Sequence, residues 1–197
     1  MGGAPPSWIR HLDLGPIFTV TPASMKDGEL PSEVVQTVYG PNMAIRASIF
    51  ASGVRFDSSI GPNGSNYAMG SETELVMRLS REGHRAWFVP EAVVAHLVRP
   101  EQLQKGWALK RATRWGRGIL RISWCSQKLW LGIPRHLFRD IPKETASVLG
   151  AAIFFRQGAL LRARWRFNVL WGMAIESRLL VREMKAPQPS SSLQDEP

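Results

Sequence analysis

The chain has 197 residues, 44% hydrophobic and 21% charged, which suits one folded domain or one plus an appendage. A single cysteine, Cys125, excludes an internal disulfide and fits a reducing compartment. The net charge of +9 is unevenly placed: residues 1–98 hold seven Lys/Arg against nine Asp/Glu, and residues 99–185 hold eighteen against five.

The opening MGGAPPSWIR lacks the charged start and apolar core of a signal peptide, so none is expected. MGG opens like a myristoylation site, but Pro6 stands where Ser or Thr is needed. Residues 1–39 read as irregular, with five prolines as breakers and one short helix and turn within 7–20. Residues 38–46 read as a short buried strand interrupted by the Gly40-Pro41 turn, and 47–52 as a turn or two of helix. Residues 57–70 form a loop with three glycines. Ser71 is placed to cap the helix that follows, with Glu74 at capping-box spacing. Leu75, Val76 and Leu79 give that helix an apolar face, and Gly83 ends it. Residues 85–89 and 93–98 read as strands separated by a Pro90-Glu91 turn.

Pro100 opens a second region. Ala108, Ala112, Trp115, Ile119 and Ile122 form an apolar stripe at helical spacing and predict a helix over 101–124. Lys110, Arg114, Arg117 and Arg121 form a basic stripe on the same helix. Gly132-Ile133-Pro134 breaks the pattern, and helices near 142–156 and 159–184 follow. Residues 186–197 have the composition of a disordered tail. The longest apolar run, 146–155, is too short to span a bilayer. Six of the eight tryptophans lie in the basic region, which points to an anionic partner: lipid head groups, nucleic acid or a phosphorylated substrate. The stripe itself is a solvated face, a phosphate-binding face or a membrane-surface face. No nucleic-acid-binding motif accompanies it, so nucleic acid is the weakest of the partners.

Glu72 and Glu74 follow the glycine-rich loop directly, where a carboxylate can act as general base toward an acceptor hydroxyl. Acidic residues in a first turn are also common simply because they complement the helix dipole. Two apart on a helix, they do not share a face; Glu74 suits capping, which leaves Glu72 for catalysis. His96 lies in AVVAHLV, where a lone histidine is ordinarily a satisfied core or edge residue, and no partner ligand stands at metal-site spacing. Gly61, Gly64 and Gly70 make either a flexible loop or a backbone nest for phosphate.

Four stretches nevertheless occur in a telling order. GPNMAIR, FDSSIGPNG, GSETELVMRL and VPEAVVAHLVRPEQL are similar to successive segments in the second half of the catalytic domain of family 2 glycosyltransferases. PPSWIRHLDLGP also resembles a stretch that precedes this block in some members, so the match runs in order over about residues 5–125. RATRW, residues 111–115, is similar to the RxxRW element of processive members.

The resemblance implies an α/β architecture: a partial GT-A-like, Rossmann-like domain followed by an α-helical C-terminal appendage. The parts are an irregular segment 1–39, a partial catalytic domain 40–99, a basic amphipathic helical region 100–185 and the tail 186–197. It implies inverting transfer of a sugar from a nucleotide-sugar donor to an acceptor hydroxyl, with Mg²⁺ or Mn²⁺. The family's base aligns with Glu72, with Ser71 where the family has an acidic residue. Substrate contacts are implied for Asn42, Gly64, Tyr67, Glu74, Arg114 and Arg117, and a metal or diphosphate contact for His96. The family's nucleotide-binding half and its DXD metal ligands have no counterpart before Gly40. An inactive remnant or a membrane-associated partner subunit is therefore the alternative to an enzyme. The expected location is cytoplasmic, peripheral on the inner face of a membrane, with the basic helices on an anionic surface.

Overall fold

A computed structural model describes residues 6–21, 24–62, 64 and 66–185. The expected tail, 186–197, lies outside the described residues. The fold is mostly helical. Helix α1 spans Leu14–Phe18, α2 Ala47–Ala51, α3 Ser71–Arg81, α4 Lys105–Ser123, α5 Leu137–Ile153 and α6 Gln157–Lys185. Strand β1 (Gly28–Leu30) pairs antiparallel with β2 (Ala86–Phe88), and β3 (Leu129–Trp130) with β4 (Ile133–Pro134).

The long helices form the frame. Helices α4 and α6 run parallel in close contact, since Thr113 meets Asn168, Arg117 meets Glu176 and Arg121 meets Glu183. Two glycines permit this approach: a Cβ on Gly116 would overlap the Val169 carbonyl, and one on Gly172 the Thr113 carbonyl. Between them α6 packs on α4 and α5, which explains why its apolar residues spread around the helix rather than along one stripe. The N-terminal segment is built into this frame. Trp8, Ile17 and Phe18 are buried against Ala108, Leu109, Ala112, Leu161 and Trp165. The Trp8 indole donates to the Leu103 carbonyl at 3.1 Å, and Arg111 Nε to the Pro16 carbonyl at 2.9 Å.

Several sequence expectations need correction. Residues 38–46 form no strand: Pro41 lacks a ladder donor, and the chain turns in a 3-10 segment, Gly40–Asn42, closed by Asn42 N–H to the Tyr39 carbonyl. Residues 93–98 form no strand either, because no partner lies beside them among the described residues. The Ser71–Glu74 capping box is absent. Gly70, at φ 108°, is the N-cap, the Ser71 hydroxyl turns to Glu72, and Glu74 is held by Arg78 one turn on. The fifth helix starts at Leu137, ahead of Pro142, rather than near 142. The helical appendage is present as expected. The α/β expectation required a parallel sheet, and the described residues contain only two antiparallel two-stranded ribbons. No helix among the described residues is long and apolar enough to cross a membrane.

Candidate functional site

Helix α4 grips the glycine-rich loop. Met69 N–H donates to the Arg114 carbonyl at 3.1 Å, and Arg117 Nη1 donates to the Asn66 carbonyl. A Cβ on Gly118 would overlap the Met69 backbone, so only glycine allows the loop to lie against the helix there. The Arg114 guanidinium lies over the Tyr67 ring at 5.1 Å. The loop is thereby fixed where it enters α3, and the start of α3 carries Glu72.

Glu72 lines a cleft of about 470 Å³ with Gly40, Met43, Phe56, Asp57, Ile60, Gly61 and Ser71. Its carboxylate presses on Gly40, where any Cβ would overlap Oε1. The Ser71 hydroxyl donates to Glu72 Oε2 at 3.1 Å. Gly61, at φ 115°, brings its backbone against Ser71, which a side chain would obstruct. Asp57 brings a second carboxylate. Burial pushes its carboxyl up, but hydrogen bonds from Ser59 and the charges of Arg121 and Arg78 hold it below the usual range overall. The Asp57 role is missing from the sequence reading, although FDSSIG carried it openly.

A cationic wall stands close by. Burial pulls the Arg111 guanidinium down from its usual range; Tyr67, Glu72 and Tyr39 pull it up, and the Arg114 charge lowers it further. Burial and then the Asp13 carboxylate push the Tyr39 phenol up, against Arg111. Arg111 also lies over the Trp107 ring at 5.5 Å. Arg114 Nε is buried with no hydrogen-bond partner among the described residues, a donor awaiting an acceptor.

The basic stripe divides. Lys110 is exposed. Arg117 and Arg121 turn inward onto Glu176, at 2.6 and 2.5 Å, and Glu176 is 0% exposed. Arg121 also reaches Glu183 at 2.8 Å. Arg117 is therefore engaged in an ion pair within the fold and with the loop carbonyl. Glu74 is likewise occupied, bonded by Arg78 at 2.8 Å. Asn42 lies outside the cleft lining and donates from its amide to the Ala92 carbonyl at 2.6 Å, tying the 90s segment to the 3-10 turn. Gly64, at φ 77°, is exposed with open space where a Cβ would be.

His96 is exposed, with Nδ1 at 2.9 Å from both the Thr19 hydroxyl and the Phe18 carbonyl. A carbonyl only accepts, so this contact assigns the proton to Nδ1 and leaves the lone pair on Nε2. That tautomer suits a ligand, but the other donors are missing: the described residues contain no group of three His, Cys, Asp or Glu that could hold a metal. The donor set of the described residues therefore does not fit a divalent metal site. The cleft lining offers the carboxylates of Asp57 and Glu72 and the hydroxyls of Ser58 and Ser71.

No family model, no curated protein and no solved structure matches this chain.

Proposed function

We infer that this chain is the acceptor side of a family 2 glycosyltransferase-like protein with a partial GT-A-like domain, and that Glu72 is its base. The supporting observation is a convergence. The cleft draws its lining from GPNMAIR (Gly40, Met43), FDSSIGPNG (Phe56, Asp57, Ile60, Gly61) and GSETEL (Ser71, Glu72). Three separated stretches of the resemblance thus meet around the Glu72 carboxylate.

In this reading a nucleotide-sugar is the donor and a hydroxyl compound the acceptor. The Glu72 carboxylate takes the proton of the acceptor hydroxyl. The oxygen forms a bond to the sugar C1 as the bond from C1 to the diphosphate oxygen breaks, inverting that centre. Arg114, whose buried Nε has no hydrogen-bond partner among the described residues and which lies over Tyr67, is the cation suited to an anionic substrate group. Arg117 acts as a positioning residue through the loop. The nucleotide pocket and the family's metal belong to a donor-binding half that would lie beside the exposed apolar segment holding Val93, Val94, Leu97 and Val98. The chain as a whole is peripheral on the cytoplasmic face of a membrane, its basic helical region toward anionic lipid.

The second reading is a catalytically inactive remnant or partner subunit, favoured by the absence of a three-donor metal group among the described residues. Nucleic-acid binding is a weaker reading, resting on charge alone. The test, in the protein with its donor-binding half supplied, is release of nucleoside diphosphate from UDP-glucose and UDP-N-acetylglucosamine, with calorimetry of donor binding alongside. Acceptor-dependent release that is lost in Glu72→Gln supports the first reading. Neither release nor donor binding, with or without Mg²⁺ or Mn²⁺, favours the second.

A further inference from the structure

The outer face of α5 has an unusual composition. Phe138, Pro142, Thr145, Leu149, Ala152 and Ile153 are all exposed and none is charged. At 100° per residue they share an arc of ~100°, and at 1.5 Å per residue the strip is ~23 Å long. Leu149 is 58% exposed and Ile153 68% exposed, so the helix presents its apolar side to solvent where a soluble surface helix turns its polar side.

Both ends of the strip are extended by turns that place apolar side chains at their tips. At one end the Trp130 ring meets the Phe138 ring edge-on at 4.7 Å, which joins the β3–β4 hairpin to α5. The hairpin turn is Leu131-Gly132, with φ 50° and 76°. Such a two-residue turn favours Asn-Gly or Asp-Gly, because a branched side chain is strained at positive φ. Here a leucine, 81% exposed, takes the strained position. At the other end Phe155, at φ 52° and 85% exposed, makes the turn between α5 and α6. Of the three non-glycine residues with positive φ among the described residues, two are thus large apolar side chains held outward at the ends of one strip.

The charges around the strip have one sign outward. Lys128, Arg135, Arg139, Lys143 and Arg156 are exposed. The carboxylates of α5 are drawn away from that role: Asp140 is bound by Arg139 at 2.7 Å and Glu144 by Arg166 at 2.9 Å. An apolar strip with aromatic ends and a cationic border matches the head-group region of an anionic bilayer, where apolar side chains enter the acyl boundary and cations meet lipid phosphates.

We propose that the outer face of α5, with the Leu131 and Phe155 turns, is the surface by which this chain lies on an anionic lipid bilayer. The inference rests on the peripheral-membrane part of the function given above and names its contact surface and lipid class. The surface lies parallel to the membrane plane and does not cross it.

The test is co-sedimentation of the full chain with vesicles of phosphatidylcholine alone and of phosphatidylcholine mixed with phosphatidylglycerol. The variants are Leu149→Glu/Ile153→Glu, Phe155→Glu, Arg139→Gln/Lys143→Gln and, on the extended segment, Leu97→Glu. All these side chains are exposed, so circular dichroism is expected to match the wild type. Binding is expected to the anionic vesicles only. It should weaken at least about tenfold in the apolar strip variants and about fivefold for each cation removed, with Leu97→Glu unchanged. Binding that is unaffected by the strip variants, or equally reduced by Leu97→Glu, leaves the peripheral reading standing and overturns this surface. No binding to either vesicle overturns both. A wild-type chain that self-associates without lipid, and becomes monomeric in the strip variants, makes the face an interface between copies and overturns the proposal.

Discussion

Arg114 and Arg117 are three residues apart on α4, yet their surroundings differ in kind. Arg117 faces a fully buried carboxylate, Glu176, and donates to the loop at Asn66. Truncating it leaves Glu176 with Arg121 alone, and Arg117→Ala is expected to cost about 3–5 kcal/mol in urea denaturation. Arg114 lies over Tyr67, with a buried donor that finds no partner among the described residues. Arg114→Ala is expected to cost only about 1 kcal/mol of stability, while weakening binding of an anionic substrate. Asp57 supplies a pH prediction. Burial raises its carboxyl but Ser59, Arg121 and Arg78 outweigh that, so the folded value lies below the unfolded one. Its contribution is complete above about pH 4 and is lost as pH falls through the folded value. Denaturation midpoints of Asp57→Asn should accordingly fall less between neutral and acid pH than those of the wild type. A wild-type and a variant curve that run parallel into acid would remove Asp57 from the account.

At the scale of elements, the crossing of α4 and α6 is the decisive contact. Gly116 and Gly172 lie where each helix's backbone meets the other. Gly116→Ala has no flexible atom to displace, only the Val169 carbonyl, and is expected to destabilise by about 1–3 kcal/mol or more despite alanine's better helix propensity. A measured gain in stability would show that the helices do not cross there. Helix α4 was legible from its apolar spacing because 3.6-residue periodicity is a local signal. The partners of the basic stripe were not, since Glu176 lies 59 residues from Arg117 and spacing along one helix cannot reveal it. The start of α5 was misread because Pro142 looks like a helix beginning, whereas five residues of helix precede it. The strand at 93–98 was misread for a different reason. Its Val-rich alternation is a strand pattern, but a strand forms only against a neighbour, and none stands beside it among the described residues.

For the molecule as a whole, the structure has a clamp, a cleft and two apolar surfaces. Helix α4 clamps the glycine-rich loop, the loop aims α3, and α3 delivers Glu72 to the cleft. The order of the motifs was legible in the sequence, and the structure puts Glu72 in the cleft lining and Glu74 on Arg78. The sequence did not disclose that Arg111 and Tyr39 join the same neighbourhood, because they come from separate elements joined only by folding. The segment at 93–98 and the outer face of α5 are exposed apolar surfaces among the described residues, for which we propose a donor-binding half and lipid respectively as the cover. The central claim is that the Glu72 carboxylate is the base of a sugar transfer. It is tested most directly by turnover of Glu72→Gln and Glu72→Asp beside the wild type, in the protein with its donor-binding half supplied. The account predicts that Gln lowers turnover by about 10²–10⁴ while donor affinity is unchanged, and that Asp retains part of the activity. Turnover of Glu72→Gln near the wild-type rate would contradict it.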